Sequence, residues 1–353
     1  MKKGFFVFLA AGAASLLVLG GCSSSSSSSA AESTIETESE TEAVTETEAV
    51  TETEATAEGR AMQDRSGNDI IVPENIETIV SMAPSTTRVL LDMGLKDKIV
   101  AVDTNSQYSY GAELNADIPA FDMMAPDQEQ LTALAPDIIF TSGMSSYDGT
   151  DAFASVRSAG ICVADIPSSA SLAEIQEDLK FIGTCVGEEA KAQEYCDEMQ
   201  EAIDSIAEIA ATIPEEEKKT VLFELYTPSA DYPTIYTAGD GTYINEMLEL
   251  VGAVNIAAGE GTQWPALTEE AAVGADPDVI LTADMYTPDV INTILTMSGW
   301  ENVTAIVNGE VYQLDSDEVN QPNHHVINAL IDMATYIYPD YYQEVLTDLE
   351  PAA

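Results

Sequence analysis

The feature that most constrains the fold is a rhythm and its interruption. From residue 59 onward short β-rich runs alternate with longer helical ones, until a single amphipathic stretch at 188–211 breaks the pattern. Residues 76–82, 99–102, 138–141 and 161–164 have the composition of buried strands, with helical stretches at 85–93, 129–134, 151–159 and 172–185. That alternation predicts an α/β fold with parallel sheets. In the interrupting stretch Tyr195, Met199, Ala202, Ile206 and Ile209 are spaced by three and four, which predicts one helix with an apolar stripe. Pro214 and the charged run at 215–219 stop it, and the alternation restarts at 221–225. The expected organisation is an N-terminal lobe at 59–187, an interlobe helix at 188–214 and a C-terminal lobe at 215–353. About 295 residues suffice for two lobes of ordinary size.

A weak internal repeat supports two related lobes. Residues 129–141 align without gaps on 270–282, so that Glu129 and Glu270 each precede a Pro-Asp pair by seven positions, and each pair feeds an apolar run. Pro-Asp is a common turn pair, and the matched glutamates are the more telling part of the repeat.

The first 58 residues are of another kind. Lys2 and Lys3, an apolar run at 5–19 and the sequence Leu19-Gly20-Gly21-Cys22 resemble a bacterial lipoprotein signal, with Cys22 as the lipidated first residue of the mature chain. The expected location is extracytoplasmic, with the chain anchored to the cell membrane through Cys22. Residues 23–58 hold a serine block and Thr-Glu repeats with ten glutamates and no basic residue. Such a segment cannot bury enough apolar surface to offset its ordering entropy, and its charges repel. A disordered tether is expected, with an end-to-end distance of roughly 35 Å before repulsion lengthens it.

Charge excludes one partner class. The chain carries 62 acidic and 12 basic residues, and removing those of the head and tether leaves a net charge near −42. Against 52 acidic residues the remaining ten basic ones form no basic surface to neutralise phosphates, so nucleic acid is excluded as a ligand. Beyond Cys22, the cysteines Cys162, Cys185 and Cys196 lack metal-ligand spacing. Cys162 lies in an apolar run and is expected as a buried thiol, while pairing of Cys185 with Cys196 is a question of geometry.

Five segments carry a family resemblance: 81–87 (Ser-Met-Ala-Pro-Ser-Thr-Thr), 129–137, 243–248 with Gly252 and Asn255, 270–278, and Trp300-Glu301-Asn302-Val303 with Gly309-Glu310-Val311-Tyr312. In this order, after a lipobox, they resemble the iron-siderophore/cobalamin (Fe/B12) substrate-binding proteins of ABC importers. The resemblance spans nearly all of 64–342. It implies two Rossmann-like lobes bridged by a long helix, a metal chelate gripped between them, no permanent cofactor, and delivery by a monomer to an ABC permease and its ATPase. It also implies that Glu129 and Glu270 dock the two lobes on permease arginines. One departure is Arg88, where many members carry a glutamate after the first loop's threonine.

A bulky corrinoid or ferric chelate requires aromatic faces and a few fixed polar groups in the strand-to-helix loops at the carboxyl ends of the sheets. Candidate ligand-binding residues are Ser85, Thr86, Tyr108, Tyr147, Tyr226, Tyr236, Trp264, Tyr286, His324 and His325, with no direct metal ligand assigned. Any one of the aromatics could instead cap the core with a wet edge. Trp264 stands in a polar, Gly-rich loop and Trp300 in a structural context. The histidines are adjacent, about 100° apart on a helix, so one ion would need a third partner. One imidazole could face the cleft, or bond backbone at a helix start. Few arginines, Arg88 and Arg157 chief among them, favour a neutral or cationic ligand over an anionic one.

Two other classes fare worse. No Gly-x-Ser-x-Gly elbow, His-Glu-x-x-His pair or Walker loop is present, which argues against a surface-anchored enzyme. A receptor for bare transition ions would need several convergent histidines, and the chain has two. Haem remains an alternative ligand.

Overall fold

A computed structural model describes residues 59–146, 149–229 and 231–342. The signal, Cys22, the tether and Tyr147 lie outside the described residues. The first sheet contains β3 (Ile79–Ser81), β4 (Ile99–Asp103), β5 (Ala120–Phe121), β6 (Ile138–Ser142) and β7 (Cys162–Ile166), all parallel, in the order β5-β4-β3-β6-β7. The second contains β8 (Thr220–Glu224), β10 (Val254–Asn255), β12 (Val279–Thr282) and β13 (Val311–Gln313), again parallel, in the order β10-β8-β12-β13. Two antiparallel ribbons were not legible in the sequence: β1 (Gly59–Gln63) with β2 (Asp69–Pro73), and β9 (Thr234–Tyr236) with β11 (Ala266–Thr268).

In each sheet the connections run first to one side and then to the other. The reversal falls at β3 in the first sheet and β8 in the second. A crevice opens at the carboxyl ends of the strands where such a reversal occurs. Both faces of each sheet are covered, which is why the strands read as continuous apolar runs. On β8, Val221 and Phe223 enter one core cluster while Leu222 enters another. On β6, Ile138 and Phe140 face that same first cluster, and Ile139 a third.

The expected bridge is the helix Glu189–Ala210. Its buried stripe is Ala192, Cys196, Met199, Ala202 and Ile206, with Tyr195 and Ile209 half-buried at its margin. It packs on the N-lobe helix Leu172–Val186 and on the C-lobe helices Tyr243–Leu250 and Val326–Ile337. One apolar cluster therefore runs from Ile79 and Phe140 through Met199 to Phe223 and Tyr342, and the lobes share a core across the bridge.

The repeat is structural down to the backbone. Helices Gln128–Leu134 and Glu269–Ala275 occupy equivalent places, each followed by a left-handed residue, Ala135 (φ 46°) and Asp276 (φ 49°). The next aspartates clamp the amino ends of neighbouring strands: Asp137 Oδ2 accepts from the amide and hydroxyl of Thr78 at 2.8 and 2.9 Å, and Asp278 Oδ2 from both groups of Thr220 at 2.8 Å. The thiols of Cys162, Cys185 and Cys196 are free; Cys162 is half-buried rather than buried, and Cys185 and Cys196 do not pair.

Candidate functional site

Exposed aromatics collect at the carboxyl ends of the second sheet. Tyr226 follows β8 and Tyr286 follows β12, and their rings stack with centroids 6.1 Å apart. The buried Asp284 sets this pair: its Oδ2 accepts from the Thr227 amide at 3.0 Å, and its Oδ1 from the amides of Tyr286 and Thr287 at 2.8 and 3.1 Å. One carboxylate thus fixes both loops. Burial disfavours its charge, but the donors from Thr287, Thr227 and Tyr286 prevail and lower its pKa. Beneath it Glu224 is almost fully buried, and burial pushes its pKa up to about 8, so it is largely protonated at neutral pH.

Trp264 and Tyr236 lie on or beside the β9–β11 ribbon, 48% and 41% exposed. Such exposure for large rings indicates surface waiting for a partner. A depression of about 370 Å³ lined by Met285, Gln313, Leu314, Asp315, Ser316 and Asp317 continues this rim. Across from it, Tyr108 is 72% exposed on helix Thr104–Tyr110, so this segment is a helix and not the expected loop. Ser85 is half-buried in the first turn of helix Pro84–Asp92, after β3. Its neighbour Thr86 is buried and presents nothing to the crevice, because that turn packs inward. Trp300 is buried in the core, as expected.

The structure brings both histidines to one carboxylate: each Nε2 turns to Asp92 at the end of the N-lobe helix Pro84–Asp92, 3.1 Å from His324 and 3.0 Å from His325. His324 is buried and stacks on Tyr195 of the bridge, with ring centroids 4.2 Å apart. Arg88 also grips Asp92 through Nε and Nη2 and reaches Glu113 through Nη1 at 3.0 Å, so its guanidinium is spent within its own lobe. Burial opposes the charge of Asp92, yet His324, His325 and Arg88 hold its carboxyl well below the usual carboxylate range. Burial lowers the pKa of His324 despite Asp92, which keeps the imidazole neutral. Asp92 was missed because its only sequence signal, a spacing of four from Arg88, is ordinary on a helix.

The other contacts of the seam are polar: Ser109 Oγ donates to Asp317 at 3.0 Å, Tyr110 to Gln321, and the Leu172 amide to Glu246 at 2.7 Å. All four arginines are engaged. Arg60 donates to the Thr184 carbonyl, Arg65 pairs with Glu177 and Asp178, and Arg157 with Asp151 and Asp165. The stretches that carry the candidate residues, 84–87, 108–110, 144–147, 226–236, 263–264, 284–286 and 320–325, contain no lysine or arginine.

The family model described as periplasmic binding protein matches residues 79–318. The chain belongs to that family. Among its relatives, an uncharacterized ABC transporter substrate-binding lipoprotein of Bacillus subtilis, YvrC, is 32% identical over 80% of this chain and 87% of its own length. A cobalamin-binding protein of Halobacterium salinarum is 27% identical over 77% of this chain and 72% of its own. Among solved structures, the molybdate-bound MolA of Haemophilus influenzae superposes with a TM-score of 0.69 at 20% identity, over 82% of this chain and 94% of that one, which shows the shared fold. Members of this family bind and hand over solutes outside the cytoplasm, so this is a binding protein and not an enzyme, and its partner is an ABC importer.

Proposed function

We propose that this family member is a monomeric lipoprotein, anchored through Cys22, that carries one neutral or cationic metal chelate, a corrinoid in preference to a ferric hydroxamate, to an ABC permease. The observation that carries this reading is an aromatic rim without a cation: Tyr108, Tyr226, Tyr236, Trp264 and Tyr286 are exposed, while every arginine is engaged elsewhere. Flat, apolar, wide ligands suit stacked phenols and an indole, whereas an oxyanion such as molybdate or a catecholate chelate calls for guanidinium forks. Tyr147 belongs to the same proposed set, and Ser85 supplies a hydroxyl opposite the aromatics. Similarity to a protein named for cobalamin binding supports the same choice.

Glu129 and Glu270 are proposed as the permease contacts. Both are exposed in the first turn of equivalent helices, where the helix dipole favours a carboxylate. Titrating intrinsic fluorescence with cobalamin, cobinamide, haem, a ferric hydroxamate and molybdate tests the ligand class. Saturable quenching at one equivalent by a corrinoid is expected; heat of binding with molybdate or free peptides alone would overturn it.

A further inference from the structure

We propose that Asp92, His324 and His325 form a divalent transition-metal site at the seam between the lobes, separate from the chelate crevice. Three donor atoms from two distant segments converge there, all within 4.8 Å of one another. Bonds of about 2.0–2.2 Å to zinc place neighbouring ligands about 2.8–3.1 Å apart at a right angle and about 3.3–3.6 Å apart at the tetrahedral angle. The Asp92 oxygen lies 3.1 and 3.0 Å from the two imidazole nitrogens, the right-angled spacing, and a tetrahedral ion would spread the ligands by a few tenths of an ångström. Neither ring nitrogen of the buried His324 makes an aligned hydrogen bond, although the ring is only 1% exposed. A buried imidazole in that state has a donor set to offer, and neutral imidazole is the form that ligates.

The surroundings hold the ligands in place. Tyr195 stacks on His324, Arg88 orients the Asp92 carboxylate in the manner of an outer-shell partner, and Glu113 balances the Arg88 charge. Two nitrogens and one oxygen suit Zn²⁺, Co²⁺ or Ni²⁺ over Mg²⁺ or Ca²⁺, and half-buried His325 leaves an approach for the ion and a water. The site is remote from the first cleft loop: Asp92 stands eight residues after Pro84, about 12 Å along the helix axis. An ion held here would clip the N-lobe to the C-lobe beside the bridge.

The chain's two histidines make the test direct. Untagged mature protein, stripped with chelator, would be titrated with Co²⁺ and Zn²⁺ in the absence of any chelate ligand. Expected are one equivalent of tightly bound ion, visible d–d bands with Co²⁺, and displacement of both imidazole ¹⁵N signals by Zn²⁺. His325→Gln, checked for folding by circular dichroism, should weaken affinity by more than about 100-fold, beyond the range for outer-shell partners. Unmoved imidazole signals in the wild-type protein would overturn the site whatever the variants do. So would undiminished binding by His325→Gln, which would assign the ion to the acidic surface. Corrinoid binding is read separately, so failure of one proposal leaves the other standing.

Discussion

The crevice rim and the seam beneath it solve opposite problems with the same residue types. On the rim, tyrosines and Trp264 stand exposed, with a buried carboxylate, Asp284, holding their loops by backbone donors. In the seam, Tyr110 is buried and Tyr195 half-buried, and each ring covers another side chain: Tyr195 stacks on the neutral His324, and Arg88 lies 5.2 Å from the Tyr110 ring centroid. The rim is preorganised but unpartnered, whereas the seam gathers its ionic groups, Arg88 and His325 included, around the Asp92 carboxylate. Rim substitutions should therefore cost affinity with little stability, and seam substitutions the reverse.

The largest effect is expected in the seam. Asp92→Ala would leave Arg88 and two imidazoles facing a buried vacancy, and breaking such a pair typically costs about 3–5 kcal/mol. Urea denaturation at pH 7.5 measures it. A loss below about 1 kcal/mol would place the seam with ordinary surface ion pairs and erase the contrast with the rim.

Beneath the rim, Glu224 gives a pH signature. Its folded pKa, raised to about 8, exceeds that of the unfolded carboxyl, so the folded state holds the proton longer. Its penalty is absent below about pH 4, grows as pH rises, and is complete above about pH 8. Between those limits the wild-type protein should lose roughly 2–5 kcal/mol of stability from this group. Glu224→Gln should remove that slope and be the more stable protein at pH 9. Parallel pH profiles for the two proteins would show that Glu224 ionises freely.

How much of this was legible follows from what each part is made of. The sheets and the bridge were readable because burial on two faces writes apolar runs, and burial on one stripe writes a spacing of three and four. The bridging helix Glu189–Ala210 departs from the amphipathic stretch at 188–211 by one residue at each end, and it stops four residues short of the expected interlobe boundary at 214. The exposure of Trp264 was readable because it stands in a polar, Gly-rich loop and not in an apolar run. The ribbons were not, since three-residue strands such as Thr234–Tyr236 carry too little periodicity. The seam was illegible for a different reason: Asp92 meets His324 and His325 across more than 230 residues, and no local pattern records a contact made only after both lobes close on the bridge.

A smaller effect, on affinity alone, is expected at the rim. Trp264→Ala should weaken corrinoid binding by at least about tenfold, or 1.4 kcal/mol, while moving the denaturation midpoint little, because the indole is half exposed in the free protein. Calorimetry beside thermal melting separates the two. Equal losses in both would make Trp264 a core residue with a wet edge and remove the distinction between rim and seam.

The smallest effect on the protein itself belongs to the outermost residues. Glu129 and Glu270 are exposed, and each is worth at most a few tenths of a kcal/mol to its helix start. Glu129→Ala combined with Glu270→Ala should therefore leave stability and chelate affinity within error of wild type. If these carboxylates meet permease cations, the double variant nevertheless loses encounter rate and register, and ligand uptake and ligand-stimulated ATP hydrolysis fall in reconstituted vesicles. Salt screens such attraction over about 10 Å at 0.1 M, so the gap between wild type and variant should narrow as ionic strength rises. Each single variant should retain an intermediate rate, since the two helices are equivalent by the repeat that links residues 129–141 to 270–282. Wild-type transport by the double variant at low salt would reduce both glutamates to helix starts and leave the lobes' symmetry as a matter of folding alone.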